Sequence, residues 1–172
     1  MAAIKSKRFI LRPFKKGDGE SLRNNINDKD IYKRTIRIPF PYRLKDAKEW
    51  VRCCISSAKK RQKNSVNFAI SADDEVIGGI GFDQIQQHKA EIGYWLGKKY
   101  WNKGIMTEAA GLATEFGFDK LKLRRISAYV FLKNNASARV FEKNGYRKEG
   151  LLRKYHLKDG KYIDAMLYAK VR

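Results

Sequence analysis

One stretch constrains this chain more than any other: Tyr94-Trp95-Leu96-Gly97-Lys98-Lys99-Tyr100-Trp101-Asn102-Lys103-Gly104-Ile105-Met106-Thr107-Glu108-Ala109. It reads as a strand that ends, a short glycine-bearing turn, and an amphipathic helix. The first turn of a helix leaves several backbone N–H groups without an internal acceptor, and the helix dipole adds positive potential there. A phosphate or pyrophosphate fits such a junction. Gly104 lets the chain approach the anion closely, and Lys98, Lys99 and Lys103 add charge. The stretch is neither G-x-G-x-x-G after a strand nor the G-x-x-x-x-G-K-S/T phosphate loop. The residues alone leave two readings open. One is an anion site. The other is a tight strand–helix junction with a solvated lysine rim.

The rest of the chain supplies a sheet for that junction. Phe9 to Pro13, Val66 to Ala72, Val76 to Phe82, Ala90 to Leu96, Arg124 to Val130, Tyr146 to Tyr155 and Tyr162 to Ala169 read as strands. Turns at 72–75 and at Asp159-Gly160 join two pairs as hairpins. Helices are predicted over Gly17–Asn27, with Asp18 as a cap, over Asp28–Arg34, and over Asp46–Lys60, where apolar residues recur at helical spacing. Two more run from Lys103 to Phe118 and from Asn134 to Asn144. This order predicts an α/β fold, a mixed sheet with helices against it. The length of 172 residues fits a single domain spanning 1–172.

Charge is distributed unevenly. The formal net charge is +20. Residues 1–63 carry 19 basic and 6 acidic side chains, residues 64–119 carry 4 and 8, and residues 120–172 carry 15 and 4. A basic field attracts polyanions. It fits a polyphosphate cofactor together with an acidic or RNA-containing partner, or a solubilising surface, or direct nucleic-acid binding. Cys53 and Cys54 are adjacent, which is not the spacing of a zinc site, and no metal is expected. The pair reads as packing on a helix, and the absence of a disulfide framework fits a reducing cytoplasm. No stretch has the length of a signal peptide's apolar run or a membrane span, so no membrane association is expected.

A second motif is Asn134-Asn135-Ala136-Ser137-Ala138-Arg139-Val140-Phe141-Glu142-Lys143-Asn144-Gly145-Tyr146. It reads as a helix capped by Asn134 or Asn135 and ended at Gly145. Ser137 and Phe141 are spaced i,i+4, so one face can aim both at the same groove. Asn134 can equally be a plain cap, and Ser137 a small packing residue.

The two motifs together resemble the GNAT superfamily of N-acetyltransferases, and the likeness extends from the strand near Phe9 to the end. Trp101-Asn102-Lys103-Gly104-Ile105-Met106 is similar to its pyrophosphate-binding motif, with Trp101 and Met106 where members usually carry Arg or Gln and Gly or Ala. Thr107-Glu108-Ala109 continues it as in the ribosomal-protein N-terminal acetyltransferase branch. Asn134, Ser137, Glu142, Lys143, Gly145 and Tyr146 match the second motif. The resemblance implies an acyl-CoA N-acyltransferase fold, with a seven-stranded, mostly antiparallel, splayed sheet flanked by helices. It implies acetyl-CoA as cosubstrate, with its pyrophosphate on the turn and Asn134 beside the pantetheine. Many members use a Tyr at the position of Phe141 as acid for the leaving thiolate. The branch gives that role to the residue matching Ser137.

The resemblance also places an oxyanion donor among the backbone N–H groups near Tyr94 or Trp95, on the strand ending at Leu96. Three base candidates stand out. His156 occupies the place of the branch's Glu, and imidazole has an ordinary pKa of about 6.5. Glu91 could orient a water. Tyr155 has an ordinary pKa of about 10, high for a base. His88 lacks comparable support. Arg153, Lys154 and Lys158 are expected to lower the pKa of His156. Tyr42, Trp50 and the segment from Tyr32 to Arg37 are candidates for the acceptor wall, where Tyr42 and Trp50 fit core and rim as well.

A basic wall suits an acceptor with negative groups. This points to a protein N-terminus, such as that of a ribosomal protein, rather than a polyamine or aminoglycoside. A small-molecule amine acetyltransferase is the enzyme alternative. A basic RNA- or ribosome-associated protein with a degenerate acetyltransferase fold is the other, its basic runs at Lys59–Lys63 and Arg147–Lys154 tracking phosphates. Either a monomer or a homodimer fits.

Overall fold

The computed structural model describes residues 3–59 and 64–172. The elements in order are β1 (Ile4–Lys5), β2 (Ile10–Arg12), α1 (Gly19–Ile26), α2 (Lys29–Lys33), α3 (Leu44–Lys59), β3 (Val66–Ala72), β4 (Glu75–Gln86) and β5 (Lys89–Leu96). A 3-10 turn at Lys98–Tyr100 leads to α4 (Ile105–Asp119), β6 (Arg125–Phe131), α5 (Asn135–Lys143), β7 (Arg147–Lys158) and β8 (Lys161–Val171). The strands form one sheet in the order β1-β2-β3-β4-β5-β6-β8-β7. Every neighbouring pair is antiparallel except β5 and β6.

The sheet has eight strands where seven are expected. The additional one is β1, whose two residues pair with Leu11 and Ile10. A two-residue strand has no alternation to reveal it. The hairpin turns follow the sequence reading. Asp73 and Asp74 both take left-handed φ, as do Asp159 and Gly160, the geometry of the two-residue turn whose twist matches its strands.

Apolar residues bury on both faces. On one, α4 and α5 cover Phe68, Ile70, Phe82, Ile92 and Ile126. Ala109, Ala110 and Ala113 on α4 have no exposed surface, so the helix lies close against the sheet. On the other face α1 and α3 pack Leu22, Ala47 and Val51 against Ala69, Val76 and Trp95. Neighbours along a strand, such as Phe68 and Ala69, go to opposite faces, as the pleat requires. Gly79 makes room for an aromatic: Trp95 is its cross-strand partner, and a Cβ on Gly79 would lie 2.6 Å from the indole nitrogen.

Asp18 is not the side-chain cap that the sequence suggests. Its buried carboxylate accepts both Arg12 Nη atoms, at 2.8 and 2.9 Å, and the Lys15 N–H at 2.8 Å. A paired guanidinium is a stronger donor to a buried carboxylate than the neutral N–H groups of the helix start. Cys54 is buried on α3, whereas Cys53 is exposed. Of the basic run 59–63, residues 60–63 lie outside the described residues.

Candidate active site

The site begins where the sheet opens. β5 and β6 pair at Lys89–Arg125, Ala90–Ile126 and Glu91–Ser127, and their pairing stops there. β6 continues along β8 as far as the Phe131–Ala165 pair. Residues 92–96 therefore have no ladder partner on the β6 side, and their backbone groups there can pair with an extended ligand.

The glycine turn sits just past the end of β5. Asn102 and Gly104 both take positive φ, at 59° and 72°. The first backbone bond of α4 runs from the Glu108 N–H to the Gly104 carbonyl at 3.1 Å. The N–H groups of Ile105, Met106 and Thr107 thus lack an intrahelical acceptor. The Ile105 and Met106 side chains are buried in the core, so the bulk of Met106 is directed into the protein interior. Trp101 ties the turn to the strand by donating Nε1–H to the Leu96 carbonyl at 2.7 Å.

The lysines divide. Lys98 is bound to Asp30 at 2.6 Å, and Lys99 lies 3.9 Å from Glu75. Lys103 lies over the Tyr100 ring. A cation that sequence reasoning missed is Arg8. It donates to the Lys103 carbonyl at 2.6 Å and to Glu108, and lies 3.8 Å from where a Gly104 side chain would begin. It is 95 residues from Lys103 in sequence, so no local pattern points to it.

The α5 motif lies beside the opening. Asn134 caps the helix, its Oδ1 accepting the Ser137 N–H at 3.3 Å; Asn135 does not act as the cap. The helix ends with the Gly145 N–H on Glu142 and the Tyr146 N–H on Phe141, at 3.0 and 3.1 Å. Asn144 links the two motifs by donating to the carbonyls of Thr107 and Val140, at 2.9 and 2.8 Å. Ser137 and Phe141 face the same cavity as Tyr94 and Trp95.

Tyr94 contributes a side chain that the sequence reading used only for its backbone. Its ring lies 5.5 Å from that of Phe141. Burial pushes its hydroxyl up to about 12, and the nearby Ser137 hydroxyl opposes that rise. The phenol therefore stays protonated near neutrality and can donate.

The cavity, of about 660 Å³, also collects His156, Glu91, Tyr42 and Trp50. His156 packs 5.6 Å from Phe131 and 4.7 Å from Tyr155. Burial, then the charge of Arg37, lowers its pKa. The expected cause was its own neighbours Arg153, Lys154 and Lys158; the residue that acts comes instead from the loop after α2. Burial pushes the Glu91 carboxyl up, Arg37 pulls it down, Asp83 raises it, and the nearby Tyr129 hydroxyl lowers it. Tyr129, which the sequence did not single out, stacks on Tyr155 with centroids 4.8 Å apart. Tyr155 itself is exposed and does not line the cavity. His88 is exposed at the β4–β5 turn.

Tyr32 does not line the cavity. Its hydroxyl donates to Asp159 at 2.5 Å and its ring lies 3.6 Å from Lys158 Nζ, so it joins α2 to the β7–β8 hairpin. The segment after it, Arg34 to Pro39, does line the cavity. Tyr42 is buried and Trp50 partly exposed, an arrangement of core and rim. Among the described residues no cluster of three or more metal-ligand side chains occurs, and no helix is long and apolar enough to cross a membrane.

Residues 8–147 match the acetyltransferase (GNAT) domain family. The uncharacterised N-acetyltransferase p20 of Bacillus licheniformis is 31% identical, over 100% of this chain and 97% of its own length. A GNAT-family acetyltransferase of Bacillus anthracis is 29% identical and superposes with a TM-score of 0.83, covering 99% of this chain and 98% of that one. RimL, a ribosomal L7/L12 alpha-N-protein acetyltransferase in complex with coenzyme A, has the same fold, with a TM-score of 0.88 at 21% identity and coverage of 99% and 98%. The chain belongs to the GNAT family and is an acetyl-CoA-dependent N-acetyltransferase.

Proposed function

We propose that the chain works as one catalytic unit that transfers acetyl from acetyl-CoA to the N-terminal α-amine of a protein, such as a ribosomal protein, in the cytoplasm. The observation that carries this reading is a succession of features along β5. It runs from the N–H turn at 102–106, along the opening between β5 and β6, to a cavity containing Ser137, Tyr94, Glu91 and His156. The N–H groups of Asn102 to Met106 hold the pyrophosphate, with Leu96, Trp101 and Thr107 shaping the turn. Asn134, Ser137 and Phe141 flank the pantetheine. The kinship in fold with RimL, an alpha-N-protein acetyltransferase in complex with coenzyme A, supports this choice of acceptor and cosubstrate. The excess of basic side chains favours a target that carries RNA.

In this reading a neutral amine attacks the thioester carbonyl carbon. A C–N bond forms, and the oxygen gains charge that a backbone N–H near Tyr94 or Trp95 stabilises. The C–S bond then breaks, and the thiolate takes a proton from the Ser137–Tyr94 hydroxyl pair. The amine proton leaves by way of His156 or a water on Glu91. Phe141 has no hydroxyl to give; Tyr94, packed on its ring, supplies one from the sheet. The test is mass-resolved acetylation of N-terminal peptides, polyamines and aminoglycosides in parallel. Preferential acetylation of a peptide α-amine supports the reading. Acetylation of the small amines alone would replace it.

A further inference from the structure

The acceptor cavity has a charge opposite to that of the whole chain. Its lining holds four carboxylates, Asp46 and Glu49 on α3, Asp83 on β4 and Glu91 on β5, against two guanidinium groups, Arg34 and Arg37. The chain as a whole is at +20. Asp83 and Glu91 are direct cross-strand partners, and like charges in that relation destabilise a sheet. Arg37 offsets one of them, its Nη1 lying 3.0 Å from Asp83. Arg34 is engaged elsewhere, 3.6 Å from Asp30 and over the Trp101 ring. Among the described residues Glu91 forms no ion pair within 4.0 Å. Among the described residues Glu49 pairs only with the exposed Arg52 of its own helix, at 3.7 Å.

We infer that this cleft selects polypeptide acceptors with a second positive charge close to the reacting amine, in the form of Lys or Arg among the first residues. The inference rests on the acetyltransferase reading above and narrows its substrate. The remote lysines act against a cationic segment, but exposed charge is largely screened beyond about 8 Å at physiological ionic strength. The cleft carboxylates act at short range, and Asp46, Asp83 and Glu91 do so partly out of water, where screening is weaker. Apolar side chains in the same lining, Phe14, Ile38 and Trp50, give uncharged parts of a peptide a surface that a bare polyamine would leave unused.

The test uses two peptides that begin with the same serine and differ only in Lys or Glu at the second and third positions. Their kcat/KM is measured at about 0.15 M salt with saturating acetyl-CoA, and their binding to the CoA-loaded protein is measured by calorimetry. The lysine peptide is expected to be favoured at least about tenfold in both. In the Glu49→Gln/Asp83→Asn protein that ratio should fall several-fold; exposed Glu49→Gln alone gives a smaller fall should the double variant lose its fold. Equal or inverted preference, or a ratio unchanged in the variants, overturns the inference. If neither peptide is acetylated but the lysine peptide binds better, the inference holds and the N-terminal acetyltransferase reading fails. If neither is acetylated and both bind alike, both fail.

Discussion

Lys158 Nζ donates to the Tyr32 carbonyl at 2.8 Å across 126 residues of sequence. The same ammonium reaches the Thr35 carbonyl at 2.6 Å. The β7–β8 hairpin thereby fixes the end of α2 and, with it, the Arg34–Pro39 wall of the cavity. Hydrogen bonds from a charged donor contribute about 1.5–3 kcal/mol each when well made. Lys158→Met is expected to raise the KM of the acceptor several-fold while leaving the affinity for acetyl-CoA near the parental value. Steady-state kinetics with each substrate varied in turn, beside calorimetry with CoA, checks the separation.

Gly104 gives a prediction of a different kind. Among the described residues a side chain there would meet nothing closer than Arg8 at 3.8 Å, so space is not the obstacle. The backbone is, because its φ is 72°. Left-handed backbone costs an ordinary L-residue about 1–2 kcal/mol and a β-branched one more. Gly104→Val should weaken acetyl-CoA binding about tenfold or more before it unfolds the domain, and Gly104→Asn should lose less, because asparagine tolerates this conformation. Calorimetry that ranks the two variants equally with the parent would remove the turn from the cofactor site.

Ser137 and Tyr94 line the same cavity, and the proposed mechanism gives both hydroxyls to the leaving thiolate. Ser137→Ala should lower kcat more than it raises the KM of acetyl-CoA, because the hydroxyl matters most as charge develops on sulfur. Tyr94→Phe should lower kcat in the same manner, and the two losses should be less than additive if the hydroxyls act as one unit. Phe141→Tyr should recover part of the Ser137→Ala loss. Rapid-quench measurement of the chemical step in these variants distinguishes this from an effect on product release.

In the proposed mechanism His156 sets the acid limb of the pH profile. Its pKa is lowered by burial and by Arg37, so the imidazole stays neutral, as a base must be, down to a pH below its ordinary value of about 6.5. As pH falls through the lowered pKa the imidazole gains its proton and kcat/KM should fall. Arg37→Met removes a positive charge that opposes this protonation, so the acid limb should move to higher pH. His156→Gln should abolish that limb and cost about ten- to a hundredfold in kcat/KM. His156→Glu should recover some of the loss. An acid limb that survives in His156→Gln would transfer the role to Glu91, whose carboxyl is raised chiefly by burial.

Local patterns made most of this architecture legible. Helical spacing from Ala47 to Cys54 marks α3, and Asp159-Gly160 marks a hairpin turn. The strand–glycine–helix run at 94–109 marks the junction of β5 and α4. What escapes is set by contacts distant in sequence. Arg8 at Lys103, Lys158 at Tyr32, and Arg37 beside His156 each join elements that no window of sequence contains together. The cleft shows this most sharply. Residues 1–63 are strongly basic in sum, yet Asp46 and Glu49 from that segment meet Asp83 and Glu91 in one cavity. Net charge per segment says how much charge there is; the fold decides where each sign faces. The parallel β5–β6 pair ending at Glu91 is likewise a tertiary property, implied by family resemblance but not by alternation along either strand.

The most direct measurement takes purified protein, acetyl-CoA and a library of N-terminal peptides, and locates any added acetyl group by fragmentation mass spectrometry. Acetyl-CoA-dependent modification of the α-amine is expected, with lysine side chains in the same peptides left unmodified, and loss of the product in Gly104→Val and Ser137→Ala in proportion to their predicted defects. Acetylation confined to side-chain or small-molecule amines, or α-amine product that is indifferent to both substitutions, would contradict the proposed function.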